Sequence, residues 1–184
     1  YDRSVARPAR SPELSPAAWA ALGVVAEGPI HGYEVARVLA PDGAVGQVWA
    51  VTRPLAYRAL AQLEELGYLE VIGEAPSTTG PTRRQLRATA AGRRALAAWL
   101  AEPVTHPRDV RSLLLIKLAL LDRSGADAAP LLARQRAVMV ERIADLEQRA
   151  AAVDGFEATV VAWRVAFARS VVAFVDDLAP GTCR

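Results

Sequence analysis

The stretch TRPLAYRALAQLEELGYLE, from Thr52 to Glu70, decides the fold. Thr52 suits an N-cap, and Pro54 falls in the first helical turn, where its missing N–H costs nothing. Leu55, Ala59, Leu60, Leu63 and Leu66 then recur at helical spacing and line one face, with Gly67 placed to end the helix. The opposite side presents Arg53, Tyr57, Arg58 and Gln62 in its first half and holds Glu64 and Glu65 back to its second. A helix entering a polyanion's groove by its N-terminus wants that order, because the positive end of its dipole and its arginines meet the phosphates together. An ordinary solvated face has the same spacing. The flanking sequence has to separate the two.

Upstream, LSPAAWAALGVVAEG from Leu14 offers Ser15 as N-cap, Pro16 at the first helical position, and Trp19, Leu22 and Val25 at helical spacing before Gly28–Pro29. His31 opens HGYEVARVLAP, a short second helix with Tyr33, Val35, Val38 and Leu39 along one side. Asp42 to Val51 carries two glycines and no clear period, so it reads as a loop with room for one short extended pair. Downstream, YLEVIGE (68–74) and RRQLRAT (83–89) flank a Pro- and Gly-rich turn and predict a β-hairpin. Thr89 to Pro103 then predicts a fourth helix with Leu96, Trp99 and Leu100 on its apolar side.

Three helices followed by a hairpin is the layout of a winged helix-turn-helix, in which the third helix enters the major groove and the hairpin reaches neighbouring phosphates. Charge agrees with this placement locally rather than globally. The whole chain is only +2, but Arg83, Arg84, Arg87, Arg93 and Arg94 follow one another with no acid among them. The DNA-contacting set expected from these patterns is Thr52, Arg53, Tyr57, Arg58 and Gln62 on the helix and Arg83, Arg84 and Arg87 on the wing. A planar guanidinium can grip phosphate oxygens or the O6/N7 edge of guanine through two bonds.

The remainder predicts helices over about 108–123, 127–153 and 156–178. Met139, Ile143, Leu146, Ala150 and Val153 alternate four and three apart, a coiled-coil-like seam. Phe156, Val160, Trp163, Phe167, Val171, Phe174 and Leu178 make a longer, more aromatic stripe. The last helix is apolar on nearly two sides, more than a lone helical hairpin covers, so a second copy is the expected cover. The pairing residues expected from these patterns are Met139, Ile143, Leu146, Val153, Val160 and Phe174. Trp163 and Phe167, one turn apart, together with Trp49, form a candidate surface for an aromatic ligand, with plain core packing as the alternative.

The segments LGVVAEGPIHGYEVARVL, RPLAYRALAQLEELGYLE and GPTRRQLRATAAGRRALAAWL together resemble the winged-helix domain of PadR-type transcriptional regulators. The most specific parts are the GPIHGYE turn, the YRAL-x-x-LEE-x-G helix and the T-x-x-G-x-x-x-L-x-x-WL start of the fourth helix. The later helices, with RDVRSLLLIKLALL, resemble the α-helical C-terminal domain of longer members. The fold class expected is mainly α: a disordered tail over 1–13, an α+β winged helix-turn-helix over 14–103, and a dimerisation and candidate ligand-binding domain over 104–184. The resemblance implies a homodimeric repressor that binds a two-fold operator in double-stranded DNA and releases it when a small hydrophobic or aromatic effector binds. A winged-helix protein-interaction module without DNA binding is the alternative, for which a neutral recognition face would be the sign.

Other chemistries find little support in the sequence. Cys183 is the only cysteine, so there is no intrachain disulfide framework and no thiolate metal site. His31 opens the second helix and His106 sits in a Pro-flanked linker, with no cluster of ligands around either. No nucleophile–base pair or phosphate loop can be assembled, so neither enzyme chemistry nor a cofactor is expected. Leu113 to Leu121 is too short to span a bilayer, and Glu157, Arg164 and Arg169 interrupt the last apolar segment. The expected setting is cytoplasmic, without a membrane segment.

Overall fold

The computed structural model describes residues 14–75 and 83–178. The expected N-terminal tail and the tip of the hairpin lie outside the described residues. Helix α1 (Pro16–Ala26) starts at Ser15, whose hydroxyl accepts from the Ala18 amide at 3.2 Å. Nearly every residue from Ala17 to Val25 is buried, so α1 is the pillar of the N-terminal unit rather than an amphipathic surface helix. Around it pack α2 (Gly32–Val38), α3 (Arg53–Glu65) and α4 (Ala90–Ala101). The loop before α3 forms turns rather than an extended pair, and it is tied back by the Val51 amide donating to the Leu39 carbonyl at 2.8 Å.

The wing has three strands. Strand β2 (Leu69–Ala75) and β3 (Arg83–Ala88) pair antiparallel, Glu70 opposite Arg87, with a register slip between Val71 and Gly73. A two-residue strand β1 (Ile30–His31) adds to the other edge of β3, giving the order β1-β3-β2. By sequence alone, Ile30–His31 reads as part of the GPIHGYE turn. Two residues carry no periodicity, so only the tertiary pairing with Leu86 and Gln85 reveals the strand.

Close packing accounts for two of the sequence's signature motifs. In His31-Gly32-Tyr33-Glu34, Glu34 accepts from the His31 amide at 3.1 Å. A Cβ on Gly32 would sit 3.2 Å from the Tyr57 ring and 3.3 Å from Leu60, so the small residue lets α2 seat directly on α3. In Thr89-x-x-Gly92, the Thr89 hydroxyl accepts from the Gly92 amide at 3.1 Å and donates to the Gly67 carbonyl at 2.8 Å. A Cβ on Gly92 would collide with the Tyr68 carbonyl, a backbone group with no room to move.

The C-terminal elements begin with a tight turn (Pro107–Asp109) and one wide turn (Val110–Leu114) that run directly into α5 (Leu115–Ser124). Helices α6 (Ala129–Ala150) and α7 (Gly155–Leu178) then form a long antiparallel hairpin. Helix α5 faces two ways. Ile116 and Leu120 complete the core around α1, while Leu121, with Leu114 just before it, belongs to the core shared with α6 and α7. Residues beyond the sequence-based boundary at 103/104 thus finish the N-terminal core, and the two units meet along a packed seam.

Polar contacts reinforce that seam. Arg123 forks onto Glu27 at 2.7 and 2.6 Å, and acceptance by that carboxylate holds the guanidinium above its ordinary pKa. The fully buried Gln135 makes two amide bonds to a single residue, accepting from the Val104 N–H at 2.8 Å and donating to its carbonyl at 2.9 Å. That pair pins the linker to α6 and leaves neither backbone group of Val104 unsatisfied.

Candidate nucleic-acid interface

Helix α3 presents the face its sequence predicts. Ala56, Ala59, Leu60 and Leu63 are buried against the α1 side, whereas Thr52, Arg53, Arg58 and Gln62 are exposed and Tyr57 is 43% exposed. Among the described residues, no ion pair engages Arg53 or Arg58. Their charge therefore stands near the positive end of the helix dipole without a local acid to offset it. Leu55 and Leu66, at the two ends of the expected stripe, are 39% and 37% exposed, and Ala56 rather than Leu55 fills the core-facing place in the first turn.

Helix α2 adds to this surface with two residues outside the expected DNA-contacting set. Tyr33 is exposed, and the Arg37 guanidinium lies 6.0 Å from the centre of its ring. Tyr33, Arg37, Val51, Thr52 and Arg53 line a depression of about 290 Å³ beside the start of α3. The i, i+4 spacing of Tyr33 and Arg37 was the available signal.

The wing differs. Arg84 forks onto Glu64, at the back of α3, at 2.7 and 3.2 Å. Arg87 meets Glu70, its direct partner on β2, at 3.0 Å. Arg83 opens β3 opposite Ala75, and its side chain lies outside the described residues. The acid-free arginine run in the sequence is thus met by acids that come from other elements in space. Of its last two members, Arg93 donates to the Ala26 carbonyl at 2.8 Å and so braces α4 on α1. His31 places Nδ1 3.3 Å from the Arg84 carbonyl, a structural contact near the turn end of β3.

The residues expected to pair two copies divide into two groups. Met139 is fully buried and Leu146 nearly so, both packed on α7 of the same chain; Ile143 and Val153 are partly buried beside Leu146. The seam on α6 is therefore used within the hairpin, because α7 supplies Val161, Val165, Val171 and Val175 to it. Val160 and Phe174 are only partly covered, and Phe156 and Trp163 are 81% and 64% exposed. Trp163 and Phe167 stack at 5.7 Å on this outer side of α7.

Trp49 lies in the connection between α2 and α3, and among the described residues no ring contact joins it to the α7 pair. The aromatic pair at the junction of the two units is Trp19 on α1 and Trp99 on α4, stacked at 4.9 Å. Lys117, the only lysine, is buried there with its Nζ 4.6 Å from the Trp99 ring centre, donating to the Glu102 carbonyl. Burial lowers its pKa to about 8, against a smaller raising effect of the Glu102 carboxylate.

Helix α7 is long and apolar enough to cross a membrane by length and composition alone, even with Glu157, Arg164 and Arg169 within it. Its inner face packs on α6, and Arg169–Glu147 and Arg149–Glu157 ion pairs at 2.5 and 2.6 Å tie the hairpin together. Among the described residues no group of His, Cys, Asp and Glu could hold a metal ion.

Residues 21–98 match the family described as "Transcriptional regulator PadR-like family". No curated protein matches the chain. Among solved structures, Bacillus subtilis PadR in complex with operator DNA is similar at 18% identity and a TM-score of 0.45, over 88% of this chain and 95% of that one. Bacillus subtilis PadR alone gives 17% and 0.41 over 89% and 92%. A Streptococcus mutans UA159 protein gives 14% and 0.42 over 87% and 96%.

Proposed function

We propose, from the match of residues 21–98 to the transcriptional regulator PadR-like family, that the chain is a repressor which binds a two-fold operator as a homodimer. The observation that carries the reading is the exposed face of α3, where Arg53 and Arg58 stand without ion-pair partners among the described residues while Leu60 and Leu63 opposite are buried. Arg53, Tyr57, Arg58 and Gln62 enter the major groove in this reading, with Arg53 and Arg58 against its phosphates. Thr52, at the helix start, and the wing residues Arg83 and Arg87 lie towards the DNA backbone, while Arg84 is held on Glu64. The role is one of binding rather than catalysis, in a cytoplasmic setting.

Pairing is assigned to the outer side of α7. Phe156, Val160, Trp163 and Phe167 form an apolar strip on a helix already satisfied on its inner face, and a second copy of the same strip is its natural cover. Met139 and Leu146 support that surface from inside. An apolar or aromatic effector that prefers one dimer geometry by about 1–3 kcal/mol would change the spacing of the two recognition helices and hence operator affinity. The candidate contacts for it remain Trp163 and Phe167, with Trp49 in the other unit.

Selection of duplexes from a random-sequence library by the purified chain tests this function. The expected product is a two-fold symmetric motif with half-sites about 10 base pairs apart, or a multiple of that. Enrichment of an unpaired half-site would remove the dimeric operator, and no enrichment at all would favour the protein-interaction alternative.

A further inference from the structure

The wing arginines are basic residues on a DNA-facing element, yet both whose side chains are described are engaged by carboxylates. Of the two bridges, Arg87–Glu70 joins neighbouring strands, as cross-strand pairs commonly do. Arg84–Glu64 joins different elements, 20 residues apart in sequence: the last turn of α3 and the wing strand β3. Both guanidinium nitrogens take part, one on each carboxylate oxygen, which fixes relative orientation as well as distance. His31, on the neighbouring strand β1, meets the Arg84 carbonyl, so the turn end of β3 is held by two contacts.

We infer that Glu64, acting through Arg84, is a positioning residue that sets the wing against the recognition helix and thereby discriminates cognate from arbitrary DNA. The inference rests on the DNA-binding reading above. Side-chain exposures of 48% for Arg84 and 22% for Glu64 leave the bridge largely in solvent, where such a pair adds little to stability. Its value lies in geometry. Affinity for arbitrary duplex comes almost wholly from neutralised phosphates, and a carboxylate beside the interface works against it. Cognate binding needs helix and wing to engage in register at once, and a fixed angle between them favours that arrangement alone. One acid thus suppresses binding to arbitrary DNA and supports binding to the correct site.

The experiment measures the salt dependence of binding for Glu64→Gln, Arg84→Gln and the double variant, on a random-sequence duplex and on one enriched by the chain from a library. Glu64→Gln should raise affinity for the random duplex severalfold, as the carboxylate's repulsion of phosphate is lost. Its enriched-to-random ratio should fall by about fivefold or more. Arg84→Gln should lower that ratio with the wild-type slope retained, and the double variant should lower it no further. If Arg84→Gln instead flattens the slope by about one unit and Glu64→Gln leaves the ratio intact, Arg84 is itself a phosphate ligand and the inference is wrong. A wild-type chain without affinity for either duplex at low salt would overturn the DNA-binding reading and this inference with it.

Discussion

Helices α3 and α7 are built alike and differ in what they leave uncovered. Each buries one stripe: Ala59, Leu60 and Leu63 on α3, Val161, Val165 and Val171 on α7. Helix α3 shows solvent Arg53, Tyr57, Arg58 and Gln62, whereas α7 shows Phe156, Val160 and Trp163. The buried stripes say only that both helices belong to a fold. The exposed ones suggest different partners, a polyanion for α3 and an apolar surface for α7.

The contrast breaks most easily on the α7 side. Replacing Trp163 and Phe167 together with Asp should weaken self-association by about a thousandfold or more, since large aromatic anchors carry most of the energy of such surfaces. Sedimentation equilibrium measures it. A variant that stays as tightly dimeric as wild type would leave α7 without a partner role and place the interface elsewhere.

The two helices can act on one another only if they belong to one body, and Gln135 is where that is most exposed to test. Gln135→Leu keeps the volume but strips both bonds from Val104, leaving a buried N–H and C=O without partners. It should cost about 2–4 kcal/mol in urea denaturation. A loss below about 0.5 kcal/mol would mean that the linker finds other partners and the junction is looser than described.

A smaller effect sharpens the same point at Lys117. Its folded pKa of about 8 lies below the ordinary 10.5, so between those values the unfolded chain binds more protons than the folded one. Stability should therefore rise as pH goes from about 8 towards 10.5, where relief of the buried charge is complete, and Lys117→Met should flatten that rise. Urea midpoints of both proteins at pH 8 and pH 10 check the sign. An equal rise in the variant would assign it to other groups.

Much of this was legible in the sequence, for particular reasons. The face of α3 could be read because helical spacing and the order of charges lie within one segment, although Thr52 at its start makes no side-chain capping bond. The partners of the wing arginines could not, because Glu64 is 20 residues from Arg84 and Glu70 is 17 from Arg87, and a run counted along the chain is blind to acids arriving from elsewhere. Likewise, the heptad spacing through Met139 and Leu146 shows that α6 needs a partner helix, but spacing does not distinguish α7 of the same chain from a second copy. The Trp19–Trp99 stack joins residues on the first and fourth helices and had no local signature.

The central claim, that the exposed face of α3 lies against DNA, is tested most directly by the salt dependence of duplex binding in Arg53→Ala/Arg58→Ala. Two lost phosphate contacts should flatten the slope of log K against log salt by about 1.8 units. Far-ultraviolet circular dichroism should match wild type, since both side chains are exposed and make no ion pair among the described residues. A slope equal to that of wild type would contradict the account, and would move the DNA contact, if any, off this helix.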